Sequence, residues 1–241
     1  MIQAFLKGKS AILFNQNEDF KTSSSIGLLQ YLPDDLFWSI MKDCCKGLSQ
    51  IYFGEILSFH FWEHTDPTDT TNANFVEPDV WIETENYDVL IEAKVRDGAG
   101  QYRQQWQNEI HSLQNEQNNN GHKKPIILIA LGGNENLKPD RVDNCPIYKT
   151  NWYFLLKSVS DERNRQKDNG FVSRILDDTL ELFARQGLMV MEWLTTLPQY
   201  EILDYGNHLK FVTKKMSYWG FNNLVKIIIN DKSIQQWFPI N

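Results

Sequence analysis

The chain contains little cysteine: three residues in 241, at positions 44, 45 and 145. They supply neither an even set for a disulfide framework nor a C-x-x-C pair of the kind that binds zinc. The adjacent Cys44 and Cys45 are most simply small apolar residues on a helix. The composition therefore excludes a disulfide-stapled scaffold and argues against redox or zinc-thiolate chemistry.

Long hydrophobic runs are also missing. Apolar stretches such as PIILIAL at 125–131 and VKIIIN at 225–230 fall far below the roughly 20 residues that a membrane helix needs. No charged-then-apolar signal opens the N-terminus. With 41% hydrophobic residues, the sequence predicts a globular protein in the cytoplasm, without a membrane partner.

Positive charge is scarce in most of the chain, which carries −7 overall. Residues 205–241 nevertheless carry +4, so residues 1–204 carry −11. Residues 205–230 contain no acid, and their lysines alternate with aromatic residues, a mixture suited to phosphate contact and base stacking. A solvated face over core aromatics is the ordinary alternative. We expect nucleic-acid contacts here from Lys210, Lys214, Lys215 and Trp219.

The first third of the chain contains helix and strand patterns in succession. SSS at 23–25 is suited to capping a short helix, and an amphipathic pattern predicts a helix over about 33–46 that stops at Gly47. Dense aromatic and β-branched residues at 51–64 favour a strand or a bent strand pair. FVEPDVWIE and DVLIEAKV, separated by TENY, then predict a β-hairpin.

The remaining elements complete an α, β, β, β, α, β order. Apolar residues at i, i+4, i+8 and i+11 predict a helix over about 101–117, and the short run at 125–131 predicts a buried strand. Beyond residue 150 the pattern is helical, with Gly170 and Gly187 bracketing one helix. We expect an α/β core with a mixed central sheet over residues 1–150, and a mainly helical extension packed on it over residues 151–241.

Three charged residues stand among the apolar residues of the predicted hairpin: Asp79, Glu92 and Lys94. Since side chains alternate along a strand, Glu92 and Lys94 point the same way, and pairing of the strands brings Asp79 toward Glu92. Two carboxylates this close repel each other, so the pKa of one of them rises unless a cation lies between them. A site that offers only oxygen ligands suits Mg²⁺. The pattern predicts a divalent-cation site, with Lys94 placed to orient a water or offset negative charge.

Pro78–Asp79, twelve residues and then Glu92–Ala93–Lys94, within an αβββαβ order, resemble the PD-(D/E)XK nuclease superfamily, and small bacterial members in particular. The resemblance implies a restriction-endonuclease-like fold and Mg²⁺- or Mn²⁺-dependent hydrolysis of phosphodiester bonds, more often in DNA than in RNA. By resemblance, Asp79, Glu92 and the carbonyl of Ala93 bind the metal, and Lys94 assists the water. The sequence leaves open whether the protein forms a homodimer.

The resemblance also implies roles outside the hairpin. Family members often carry a functional glutamine on the helix after this motif, and Gln101 matches it best, with Gln105 one turn on as a nucleic-acid contact. A further acid often comes from the first helix or strand, and our first choice for it is Glu55, with Glu18 behind it.

Two other functions compete with this interpretation. A nucleic-acid-binding protein that has the nuclease fold but no longer catalyses cleavage has the same sequence pattern. HFWEH, from His60 to His64, spells the H-x-x-E-H signature of a zinc peptidase, which places two histidines one helical turn apart. That site requires a helix, whereas the flanking residues favour a strand followed by a turn.

Overall fold

A computed structural model describes residues 18–95, 100–121 and 123–188, all within one compact unit that spans Met1–Val190. The described residues form five α-helices: α1 (Glu18–Leu29), α2 (Asp34–Cys44), α3 (Arg103–Asn119), α4 (Trp152–Arg165) and α5 (Gly170–Arg185). They also form a short 3₁₀ helix (Leu48–Gln50) and six strands: β1 (Ile56–Phe61), β2 (Val80–Thr84), β3 (Asp88–Ala93), β4 (Ile126–Leu131), β5 (Asp140–Val142) and β6 (Cys145–Thr150).

The strands form one mixed open sheet in the order β1-β2-β3-β4-β6-β5. Strands β1, β2 and β3 are antiparallel neighbours, β3, β4 and β6 run parallel, and β5 pairs antiparallel with β6. The predicted α/β class, the hairpin and the α, β, β, β, α, β order are confirmed. The parallel β3–α3–β4 crossover puts α3 against one face of the sheet.

Helices cover both faces because β3 and β4 are apolar on both sides. Val89, Ile91 and Ala93 of β3 belong to a core shared with α1, α2, α4 and α5. The alternate residue Leu90 packs in a second core against α3, with Trp106 and Ile110. The helices after residue 150 thus join the same core as the sheet.

The serine run at 23–25 does not cap a helix, as the sequence had suggested, but lies inside α1. The Oγ atoms of Ser24 and Ser25 donate to the carbonyls of Phe20 and Lys21, each at 2.6 Å. Bonds of this kind to the preceding turn let hydroxyl groups be buried inside a helix. The prediction of a cap was wrong because a serine hydroxyl finds a hydrogen-bond partner both at a helix cap and inside a helix.

Other predicted bounds shift by a few residues. The strand expected within 51–64 is shorter, Ile56–Phe61, and it ends where Trp62 adopts a left-handed φ of 50°. The antiparallel pair β5 and β6 was not predicted. No helix in the described ranges is long and apolar enough to cross a membrane. Lys210, Lys214, Lys215 and Trp219 lie outside the described residues.

Candidate metal centre

Asp79 immediately precedes β2 and is held at both carboxylate oxygens. The backbone N–H of Ala93 donates to Oδ2 at 2.8 Å, and the indole Nε1–H of Trp62 donates to Oδ1 at 3.2 Å. The side chain is buried, with 7% of the residue exposed. Donors from the end of β1 and the end of β3 therefore fix the orientation of this carboxylate.

Glu92 lies in β3, on the face that packs against α3, and is 2% exposed. Its Oε1 accepts a hydrogen bond from Nε2 of Gln105 at 2.6 Å and another from Nζ of Lys94. Glu92 and Lys94 are side by side, as the alternation along the strand predicted. The side-chain amide of Gln105, on α3, contacts the same carboxylate oxygen as Lys94 does.

Glu18, the first residue of α1, supplies the third carboxylate. Carboxylate oxygens of Glu18, Asp79 and Glu92 lie within 4.8 Å of one another. Nζ of Lys94 also donates to Oε1 of Glu18 at 3.2 Å. The lysine therefore bridges acids from α1 and β3.

Glu55, our first choice for the further acid, lies elsewhere. It precedes β1 at the end where Ile56 pairs with Thr84, whereas Asp79 lies at the opposite end of β2. Glu55 is exposed, and its backbone N–H donates to Oε2 of Glu85. The structure therefore corrects the choice of Glu55 and places Glu18 in the cluster.

A fourth carboxyl group was missed by the sequence reasoning. Glu109 of α3 is 2% exposed, its charge helps to raise the pKa of Glu92, and its Oε2 is buried without a hydrogen-bond partner in the described residues. Its spacing of four residues from Gln105 puts both side chains on one face of the helix. This spacing was the signal in the sequence that could have identified Glu109 as a neighbour of Gln105.

The electrostatics of the cluster follow from burial and crowding. Burial, and then the charges of Glu92 and Glu18, raise the pKa of Asp79 well above its ordinary value. Burial, and then the charge of Glu109, do the same to the pKa of Glu92, and burial raises the pKa of Glu109 to about 7. These carboxyl groups favour either a proton or a bound cation.

Lys94 responds in the opposite sense. Burial alone would lower its pKa, but the carboxylates of Glu92 and Glu18 outweigh that effect and raise it. The side chain is therefore an ammonium at neutral pH, with N–H groups to donate. It offsets one of the negative charges of the cluster.

The donor set fits a hard divalent cation. Glu18, Asp79 and Glu92 offer carboxylate oxygens from three separate segments, without sulfur or imidazole nearby in the group. Such oxygen-only sites suit Mg²⁺ or Mn²⁺. A bound cation would also neutralise the repulsion that raises the carboxyl pKa values.

The two predicted glutamines both reach β3, but in different ways. Nε2 of Gln101 donates to the backbone carbonyls of Glu92 at 3.0 Å and Gly132 at 3.2 Å, and its Oε1 accepts from Nε1 of Trp106 at 2.7 Å. Gln101 therefore braces the start of α3 against the ends of β3 and β4. Gln105, which we expected to contact nucleic acid, donates to the carboxylate of Glu92.

The two histidines of the H-x-x-E-H segment do not lie on a helix. His60 is in β1, hydrogen-bonded to Oγ of Ser58 at 2.7 Å. His64 follows the strand, donates from Nε2 to Oε2 of Glu77 at 2.9 Å, and stacks on Phe75. The helical spacing that this zinc site requires is not formed.

The chain matches no family model, no curated protein and no solved structure. Its class is therefore defined by the fold and the cluster alone. It is an α/β protein with a mixed six-stranded sheet in the described residues. Three acids and a lysine meet where β2 begins and β3 ends.

Proposed function

We propose that this protein is a divalent-metal-dependent nuclease of the PD-(D/E)XK type, which hydrolyses phosphodiester bonds in DNA. The observation that supports this most strongly is the convergence of Asp79, Glu92 and Lys94, with Glu18 from α1. The element order α, β, β, β, α, β around them agrees with a restriction-endonuclease-like core.

The metal would be Mg²⁺ or Mn²⁺, held by Glu18, Asp79 and Glu92. When bound, such an ion polarises a phosphoryl oxygen and lowers the pKa of a coordinated water. The hydrogen bonds from Trp62 and Ala93 to Asp79 hold its carboxylate in place before any ligand arrives. This preorganisation reduces the cost of ordering the site.

Lys94 acts as a cation and donor in this scheme. Because its pKa is raised, its amine does not remove a proton from water at neutral pH. It instead orients the attacking water through an N–H group and offsets negative charge that develops on the phosphate. Gln101 and Gln105 keep Glu92 and the end of β3 in position for this chemistry.

The test is cleavage of plasmid and single-stranded DNA by the purified full chain with Mg²⁺ or Mn²⁺. Glu92→Gln and Lys94→Met should each lower the rate by about 100-fold or more. Lys124→Met is a matched control, since Lys124 is a similarly buried lysine that pairs with Glu83, away from the cluster. It should cleave like the wild type.

Three results would count against the proposal. Equal cleavage by all four proteins would place the activity at another site or in a contaminant. Activity that survives EDTA would remove the role of the metal. Binding of DNA without any cleavage would favour the alternative, a nucleic-acid-binding protein that has lost turnover.

A further inference from the structure

Glu18 differs from the other two acids of the cluster in how it reaches the site. Asp79 and Glu92 are buried, and the pairing of β2 with β3 fixes their relative positions. The side chain of Glu18 is 28% exposed and belongs to a separate helix. Its carboxylate meets the other two only when the start of α1 lies against the end of β3.

Lys21, three residues after Glu18, connects the start of α1 to the chain that leaves β3. Residues three apart lie on one side of a helix, so Lys21 and Glu18 face the same region. The Nζ atom of Lys21 donates to the backbone carbonyl of Val95 at 2.5 Å. The side chain of Lys94, the residue before Val95, donates to Glu18 at 3.2 Å. Two successive residues after β3 therefore bond to α1, one through its side chain and the other through its backbone.

The backbone that Lys21 contacts is held by other elements. The N–H of Lys94 donates to the carbonyl of Leu131 at 2.8 Å, and the carbonyl of Lys94 accepts from Nε1 of Trp152 at 2.6 Å. Trp152 is fully buried, and Nζ of Lys21 lies over its ring, 4.9 Å from the centroid. A carbonyl oxygen and an aromatic face thus bind the same ammonium group, and both belong to fixed parts of the core.

We propose that Lys21 is a positioning residue, which anchors α1 on Val95 and Trp152 so that the carboxylate of Glu18 completes the metal site. This inference rests on the proposed function, because it takes Glu18 to be a metal ligand. Lys21 acts through Glu18, by fixing the helix that carries it. The positive charge of Lys21 alone opposes a bound cation, so its charge and its anchoring have opposite effects on metal affinity.

Titration of the full chain with Mn²⁺, followed by electron paramagnetic resonance at pH 7 without DNA, tests this inference. Lys21→Met keeps an unbranched side chain beside Trp152 but removes the bond to Val95. We expect its Mn²⁺ affinity to fall by about 5- to 10-fold, because groups that orient a metal ligand set its affinity for the metal. Loss of the positive charge without loss of anchoring would instead raise the affinity.

A double-mutant cycle with Glu18→Gln shows whether Lys21 acts through Glu18. Once the carboxylate at position 18 is gone, Lys21 has no metal ligand to position. Adding Lys21→Met to Glu18→Gln should therefore change Mn²⁺ affinity by less than about twofold.

Lys42→Met is the matched control. Nζ of Lys42, on α2, also lies over an aromatic ring, 5.7 Å from the centroid of Phe53. The carbonyl of Phe53 accepts from the N–H of Asn86, between β2 and β3 at the end of the hairpin away from Asp79. This variant should bind Mn²⁺ like the wild type. Thermal unfolding in EDTA shows that each variant is folded, and Lys21→Ala replaces Lys21→Met if the latter does not fold.

The outcomes separate the inference from the function on which it rests. Wild-type protein that binds no Mn²⁺ would overturn the metal site and this inference together. Wild type that binds, with Lys21→Met binding equally well or more tightly, would overturn only the positioning role. An equal loss from Lys21→Met in the presence and absence of the Glu18 carboxylate would also refute that role. The expected losses in a protein that cleaves no DNA would refute the nuclease proposal alone.

Discussion

Glu109 makes the free energy of unfolding of the metal-free protein depend on pH. Substitution by glutamine should remove this contribution. Burial raises its pKa to about 7 from an ordinary 4.5. The folded state therefore holds a proton on Glu109 more tightly than the unfolded state does. Its stabilising contribution is complete below about pH 4.5 and is lost as pH rises to about 7.

The size of the effect follows from that shift. At about 1.4 kcal/mol for each pH unit, a rise in the pKa of Glu109 from 4.5 to about 7 corresponds to at most about 3–4 kcal/mol. Glu109→Gln is neutral at every pH and has nearly the same shape as the wild-type side chain. The variant should match the wild type near pH 4.5 and be more stable by about 1–3 kcal/mol at pH 8.

Urea unfolding in EDTA from pH 4.5 to 8 measures this difference, with the fluorescence of the eight tryptophans as the signal. The other ionisable groups are present in both proteins, so the difference between the two profiles reports the loss of the Glu109 carboxyl, including its effect on the pKa of Glu92. A difference that is the same at pH 4.5 and pH 8 would show that Glu109 is not held protonated by burial, and would refute the reasoning.

Two further predictions test the placement of other residues. Glu18→Gln should weaken Mn²⁺ binding by about tenfold or more, because it removes a carboxylate of the cluster. Glu55→Gln, the control, should leave Mn²⁺ binding unchanged. The reverse result would restore Glu55 as the third acid. Gly132→Ala should lower the free energy of unfolding by about 2 kcal/mol or more, since φ is +72° and a Cβ would lie 2.5 Å from the carbonyl oxygen of Lys94. Gly121→Ala, at φ +73° in open space, should cost only about 1 kcal/mol in the same urea titration, and equal losses would contradict the predicted clash.

The core of the site was readable from the sequence because it depends on neighbours along the chain. Alternation in DVLIEAKV puts Glu92 and Lys94 on one side of a strand, and the polar TENY segment turns the chain so that Asp79 comes back beside them. Helix α3, predicted over about 101–117, and strand β4, predicted over 125–131, could be located for the same reason, since their apolar patterns are local.

The third and fourth carboxyl groups were decided by tertiary structure. Nothing near Glu18 in the sequence distinguishes it from a surface acid such as Glu55, and for Glu109 the spacing from Gln105 is the one local signal. Glu18 reaches the cluster because the start of α1 meets the end of β3, and Glu109 reaches it because α3 is braced across that strand. Which side chains meet across separate elements depends on how helices pack on a sheet, and residue spacing along one chain carries no measure of that packing.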